Sequence, residues 1–287
     1  MKKYLPYLCI LLAGASWGFI GLFNRRLLDA GLTPRNIVLI RNLGGLLLLT
    51  LLFLVIDREV FRINWRHLPY FFGTGVVSVL FFTLLYFSCQ QQCSLAVAAI
   101  LLYTAPTFVV VMSAILWKEP VTRRKLAALG IAFLGCSFVS GVWSGGLSVT
   151  PQGFLLGLGS GFFYATYSIF GRYALKHYKP MTVTYYTFVF AGLGALFVTN
   201  PLQVASSLAA NGRLIWLALG LVAIATVLPY ILYTRGLAQV ESGKASILAS
   251  VEPVVASLVG VVAFGEPMGV TVVLGLGCIL ASVYILR

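Results

Sequence analysis

Long apolar runs alternate with short polar stretches along the whole of this 287-residue chain, and ten of the runs are long enough to cross a bilayer as helices. They fall at about 4–24, 36–56, 68–89, 95–117, 124–143, 152–173, 181–200, 213–234, 244–264 and 268–286. This pattern predicts an all-α polytopic membrane protein with ten transmembrane helices. Prolines punctuate the same division. Pro6, Pro34, Pro69, Pro120, Pro151, Pro180, Pro201 and Pro267 sit at or near span ends, where a missing N–H is harmless. Pro106, Pro229 and Pro253 lie inside spans, where they are expected to kink their helices.

The pattern also repeats. At a constant offset of 147 residues, Gly14 matches Gly161, Phe23 matches Phe170, Arg25 matches Arg172, Gly45 matches Gly192, and Tyr86 matches Tyr233. The same offset carries Pro106 onto Pro253 and Glu119-Pro120 onto Glu266-Pro267, with no gap needed between the two halves. The halves, 1–143 and 144–287, hold five spans each. An odd number turns the second half over in the membrane, so the reading is two inverted five-helix repeats. Secondary transporters are built this way, with the substrate site near the midplane between the halves.

Composition agrees with the class: 60% of residues are hydrophobic and 9% charged, against about 25% charged in an average soluble domain. The net charge of +13 invites a nucleic-acid reading. The Lys and Arg sit in short loops between spans, however, where they report topology, and no nucleic-acid partner is expected. Counted on alternate sides, 15 fall on the side of the N-terminus and four (Arg25, Arg26, Arg35, Arg213) on the other. The asymmetry places both termini in the cytoplasm. Met1-Lys2-Lys3 ahead of an apolar run is signal-like, yet no A-x-A-like cleavage site follows, so the segment is read as the first span.

Glu252 is the outstanding polar residue. It comes about eight residues into its span, ~12 Å deep at 1.5 Å per residue. A carboxylate there costs ~2.5–3.5 kcal/mol on insertion scales and marks a candidate functional site. Pro253 beside it frees polar backbone at the same depth. Two roles are open: a proton-coupling or ammonium-pairing acid, or a structural acid that caps the kinked backbone. Arg41, one to two turns inside the second span, either snorkels outward, pairs structurally or meets a substrate carboxylate. Glu119 and Glu266 are read as helix-end structure, Arg172 and Arg235 as topology and gate charges. Gly153, Gly157, Gly161 and Ala165, like Gly14 and Gly18, recur every four residues and mark close-packed faces. Cys9, Cys89, Cys93, Cys136 and Cys278 lack metal-ligand spacing, and His67 and His177 are far apart in sequence. No catalytic constellation, phosphate loop or cofactor motif is present, so neither an enzyme nor a cofactor or metal is expected.

Several segments together resemble the EamA family of the drug/metabolite transporter superfamily. They are Ala98-Ala99-Ile100, Pro106 and Trp117-Lys118-Glu119-Pro120 in the first half, and Ala245-Ser246-Ile247, Val251-Glu252-Pro253 and Phe264-Gly265-Glu266-Pro267 in the second. Trp17-Gly18 and Arg41 are similar to the family as well. The resemblance spans essentially the whole chain. It implies ten helices in two inverted repeats around a central cavity lined mainly by spans 1, 3, 4, 6, 8 and 9. Members move amino acids, sugars, nucleotide precursors, cations or drugs, mostly outward. On the cavity spans lie Trp17, Tyr86, Tyr103, Tyr164, Tyr167, Tyr230 and Tyr233, whose rings suit amphipathic solutes and cations, or else an interfacial belt. The halves differ at one place: Ala105 stands where Glu252 stands, so the site is electrostatically asymmetric.

The expectation is a secondary transporter of the cytoplasmic membrane, exporting amino acids or related amphipathic solutes, with protons as a candidate coupling ion. Efflux of organic cations or drugs is the alternative on the same fold, and a non-transporting membrane scaffold the alternative of another class. The assembly is expected to be a monomer or homodimer.

Overall fold

Thr-Pro and Asn-Pro pairs start several helices of the computed structural model, which describes residues 4–92, 95–140, 142–144, 150–265 and 268–286. Thr33 and Thr150 accept from the N–H groups of Asn36 and Gly153 at 3.3 and 2.9 Å, just ahead of Pro34 and Pro151. Lys2, Lys3, Cys93, Glu266, Pro267 and Arg287 lie outside the described residues.

The chain runs α1 (Leu5–Trp17), α2 (Ile20–Asp29), α3 (Pro34–Ile56), α4 (Leu68–Phe72), α5 (Phe81–Gln90), α6 (Leu95–Leu102), α7 (Ala105–Trp117) and α8 (Arg123–Val139). It continues with α9 (Pro151–Leu175), α10 (Pro180–Ala195), α11 (Pro201–Ala209), α12 (Gly212–Val222), α13 (Leu228–Leu237), α14 (Ser242–Ala249), α15 (Glu252–Phe264) and α16 (Val270–Ile285). Among the described residues there is no strand. Among the described residues, seven continuous or nearly continuous stretches are long and apolar enough to cross a membrane: Leu5–Asp29, Pro34–Ile56, Trp65–Gln90, Val97–Trp117, Pro151–Leu175, Gly212–Leu237 and Ser242–Phe264.

The interruptions are patterned. α6 and α7 part at Tyr103-Thr104, and α14 and α15 part at Ser250-Val251, which are the same places in the two halves. Pro106 and Pro253 each stand in the first turn of the segment after the break. α7 ends on Lys118 and α15 on Gly265, both left-handed, with φ of 54° and 67°. π-helical turns link α4 to α5 (Gly73–Leu80) and α12 to α13 (Ala223–Val227). Pro229 follows the second of these, and the wider turns absorb its missing N–H. The first span runs past the anticipated residue 24 to Asp29, with a turn at Gly18-Phe19 between α1 and α2. α11 was not anticipated as a helix. Its start is written in Asn200-Pro201, Asn200 accepting from Leu202 N–H at 2.9 Å.

Glycines let helices from opposite halves meet backbone to backbone. A Cβ on Gly14 would sit 2.6 Å from the Ala249 carbonyl oxygen, and one on Gly161 2.8 Å from that of Leu101. The first helix of each half therefore presses on the break in the other half's interrupted helix. α8 and α16 make the analogous contact through Gly135 and Gly275, each within 2.8 Å of the other's carbonyl. Where lipid would lie, apolar side chains point outward, as at Leu47, Leu51, Val55 and Val262.

Candidate functional site

The break between α14 and α15 sets Glu252 in the first turn of α15, where the helix dipole favours a negative charge. Its half-buried side chain faces a cavity of about 730 Å³. Across that cavity stands Arg41, two turns into α3 and 8% exposed, its Nε donating to Thr226 Oγ1 at 3.4 Å. Among the described residues neither Arg41 nor Glu252 joins an ion pair. A buried cation and a carboxylate thus address the same space while remaining apart, an arrangement costly in a low-dielectric interior unless a ligand or water completes it.

Aromatic rings fill the wall between them. Trp17, at the end of α1, meets Tyr164 of α9 at 6.4 Å and Tyr230 and Tyr233 of α13 at 5.4 Å each, measured between ring centroids. Trp17, Tyr86, Tyr103, Tyr164 and Tyr230 line the cavity with Arg41 and Glu252. Tyr167 and Tyr233 stand behind that wall, where their hydroxyls meet Thr234 Oγ1 at 2.6 Å and Ser168 Oγ at 2.8 Å. Of the interior prolines, Pro253 adjoins the cavity through Glu252. Pro106 and Pro229 are buried and do not line it.

Sequence reasoning passed over Asn24 and Thr83, which supply further polar atoms to the cavity, as does Gln90 at the end of α5. The buried Asn24 Oδ1 lacks a hydrogen-bond partner among the described residues, leaving an acceptor near the mouth. Its signal was an amide just before the Arg25-Arg26 pair. The mouth is framed by Asn24, Arg25, Leu28 and Asp29 of α2, by Pro34 and by Gln90. Arg25 lies over the Phe264 ring at 4.3 Å, as its repeat equivalent Arg172 lies over Trp117 at 4.6 Å at the far end.

That far end is closed. Glu119, read from sequence as helix-end structure, is 7% exposed and binds across the molecule. It pairs with Arg172 of α9 and with Lys125 of α8 (3.6 Å), and it accepts from the N–H groups of Ser242 (3.1 Å) and Gly243 (3.4 Å) opening α14. Lys125 also reaches Glu241 at 3.2 Å, with Lys244 at 3.6 Å from the same carboxylate. Burial acts to raise the Glu241 carboxyl, but these two lysines outweigh it and hold the group below the ordinary carboxylate range. At the same end the histidines, 110 positions apart, stack on each other at 4.3 Å, with Tyr178 Oη 2.9 Å from His67 Nδ1. Among the described residues no three His, Cys, Asp or Glu side chains gather as metal ligands.

With this geometry in view, comparisons with known proteins bear on the fold and the class. The profile of the EamA-like transporter family matches residues 5–141 and again 151–287. An "Uncharacterized transporter" of Archaeoglobus fulgidus is 32% identical over 205 residues, 70% of each chain. The "Threonine/homoserine exporter RhtA" of Escherichia coli is 27% identical over 202 residues, 69% of this chain and 64% of that one. A solved crystal structure superposes with a TM-score of 0.81 at 19% identity, covering 98% of this chain and 95% of the other, and it shares the fold.

Proposed function

The chain belongs to the EamA-like transporter family, and on that premise we propose that it exports amino acids or related amphipathic solutes by gradient-driven alternating access. The observation that carries the reading is the pair Arg41 and Glu252, facing one cavity of about 730 Å³ without meeting each other. An α-amino acid brings a carboxylate for the guanidinium and an ammonium for the carboxylate. It thereby supplies the missing partner of each charge. The tyrosines and Trp17 offer apolar faces to its side chain, and the volume suits a small metabolite. A relative whose name is threonine/homoserine exporter supports the same class of solute.

The reading extends to topology. Arg123–Val139, Pro180–Ala195 and Val270–Ile285 join the seven longer stretches to make ten spans, in inverted repeats bounded at 1–143 and 144–287. The closed end gathers Arg58, Arg66, Arg123, Arg124, Lys176 and Lys244, so it faces the cytoplasm with both termini, and the cavity opens outward. Protons are the coupling ion, through Glu252.

Proteoliposomes loaded with labelled L-threonine or L-homoserine test the proposal: flux that follows an imposed pH gradient supports it. Glu252, an acid set among aromatic rings, favours a second reading, efflux of an organic cation. Flux of tetraethylammonium without flux of amino acids selects that reading. Absence of both, in folded protein, leaves the scaffold reading.

A further inference from the structure

The closed end holds a second feature, separate from the central cavity. A pocket of about 280 Å³ opens beside the Glu119 cluster, with Arg172, Lys176, Gln239 and Glu241 on its wall. The Arg172 side chain is 29% exposed, whereas that of its partner Glu119 is 5% exposed. Arg172 therefore has one side against Glu119 and another toward a pocket whose wall also carries Lys176.

The two partners are not equally committed. Glu119 keeps Lys125 and the N–H groups of Ser242 and Gly243 if Arg172 leaves, so its charge stays satisfied. Among the described residues Arg172 holds to Glu119 and to Ser242 Oγ at 3.2 Å, apart from the Trp117 ring. The guanidinium is thus the exchangeable arm, and what its planar fork can donate to in exchange is another carboxylate. Glu241 on the same wall does not repel such an anion strongly, because Lys125 and Lys244 already face it. The link from Arg172 to Glu119 and Ser242 ties α9 to the end of α7 and the start of α14, and those helices lead directly to Tyr164, Tyr103 and Glu252.

We propose that Arg172 is a carboxylate-binding entry site at the closed end, and that a solute carboxylate opens this end by replacing Glu119 on the guanidinium. The proposal rests on the transport reading above, and it adds a ligand class and a residue that the central cavity does not include. In an exporter, the solute that needs passage then releases the gate itself. A solute without a carboxylate lacks that key.

Ser246, buried one turn beyond Gly243, reports opening when replaced by cysteine in a protein whose native cysteines are serines. The purified protein in nanodiscs is labelled with an impermeant maleimide in sodium acetate, and again in sodium chloride of equal ionic strength. Acetate is expected to speed labelling of Ser246→Cys by about tenfold, the factor that a 1.4 kcal/mol shift sets. Adding Arg172→Gln should give fast labelling in both salts. Arg172→Met, which keeps the apolar stem against Trp117, serves where the Gln variant does not fold. Equal rates in the two salts with Arg172 present, or an acetate effect that survives its replacement, would overturn the proposal. Acetate has no ammonium and asks nothing of Glu252. Failure of amino-acid flux in proteoliposomes therefore leaves this result standing, and failure here leaves the flux result standing.

Discussion

Trp17 and Tyr164 are equivalent residues of the two repeats, 147 positions apart, and their rings meet edge to face with centroids 6.4 Å apart. The contact lies on the cavity wall, which both residues line. Trp17 is 5% exposed and also touches Tyr230 and Tyr233, so it serves both core and site. Truncating a buried Trp to Ala costs ~3–5 kcal/mol, whereas a smaller aromatic keeps most of the packing. Trp17→Ala should therefore melt well below the parent, while Trp17→Phe stays folded with weaker solute binding. A Trp17→Phe protein with unchanged half-saturation would remove Trp17 from the site and leave it in the core.

The glycine contacts separate two kinds of glycine. A methyl on Gly14 or Gly161 runs into a backbone carbonyl that has no room to withdraw. Gly14→Ala and Gly161→Ala should each destabilise by ~1–3 kcal/mol, the range for overpacking. Gly130 and Gly277, also repeat equivalents, have nothing within 4 Å. There Ala should be neutral or gain up to ~1 kcal/mol from helix propensity. Thermal melting of the four variants in one detergent checks the contrast, and equal effects at both pairs would contradict the packing account.

Lys118 ends α7 with φ of 54°, where its repeat equivalent Gly265 has φ of 67°. The left-handed region costs a side-chain-bearing residue ~1–2 kcal/mol and costs glycine nothing. Lys118→Gly should therefore raise the melting temperature. A fall would mean that the exposed Lys118 side chain contributes more than the backbone strain removes.

Much of this was legible because repeats are a local property of sequence. The offset of 147 carries Pro106 onto Pro253 and Lys118 onto Gly265, and the structure breaks and ends its helices at those places. Arg41, Glu252 and five of the seven predicted aromatic residues reach one cavity because span depth and helix face are encoded in position. What could not be read was pairing across the fold. Nothing local says that Glu119 caps α14 or that His67 stacks on His177, since each pair joins segments more than 100 positions apart. The extension of the first span to Asp29 was missed for another reason. Asn24, Arg25 and Arg26 look like the end of an apolar run, but a turn at Gly18-Phe19 carries them to the cavity mouth.

Glu241 gives a pH dependence at the closed end. Its carboxyl, held low by Lys125 and Lys244, contributes stability that is full above the unfolded value of about 4.3. That contribution is lost as pH falls through the lower folded value. Glu241→Gln should thus melt below the parent at pH 6, and the gap should close as both are acidified toward pH 3. A gap that is constant over that range would show that the ion pairs add nothing to stability.

The decisive test of the cavity is a crossed one. Arg41 and Glu252 face the same space from α3 and α15, and each is proposed to take one end of a zwitterion. Glu252→Gln keeps size and hydrogen bonding while removing charge and titration. Arg41→Lys keeps charge but loses the planar fork that grips a carboxylate with two bonds. If the proposed roles hold, Arg41→Lys should weaken binding of an amino acid by about tenfold or more and leave its decarboxylated amine unaffected. Glu252→Gln should weaken both solutes, since both carry the ammonium, and should abolish the response of flux to a pH gradient. Melting curves separate these losses from misfolding, because a structural acid would betray itself as lowered stability with normal flux in the surviving protein. A well-folded Glu252→Gln protein that transports at the parent rate with its pH dependence intact would end the assignment, and the aromatic wall alone would then have to account for recognition.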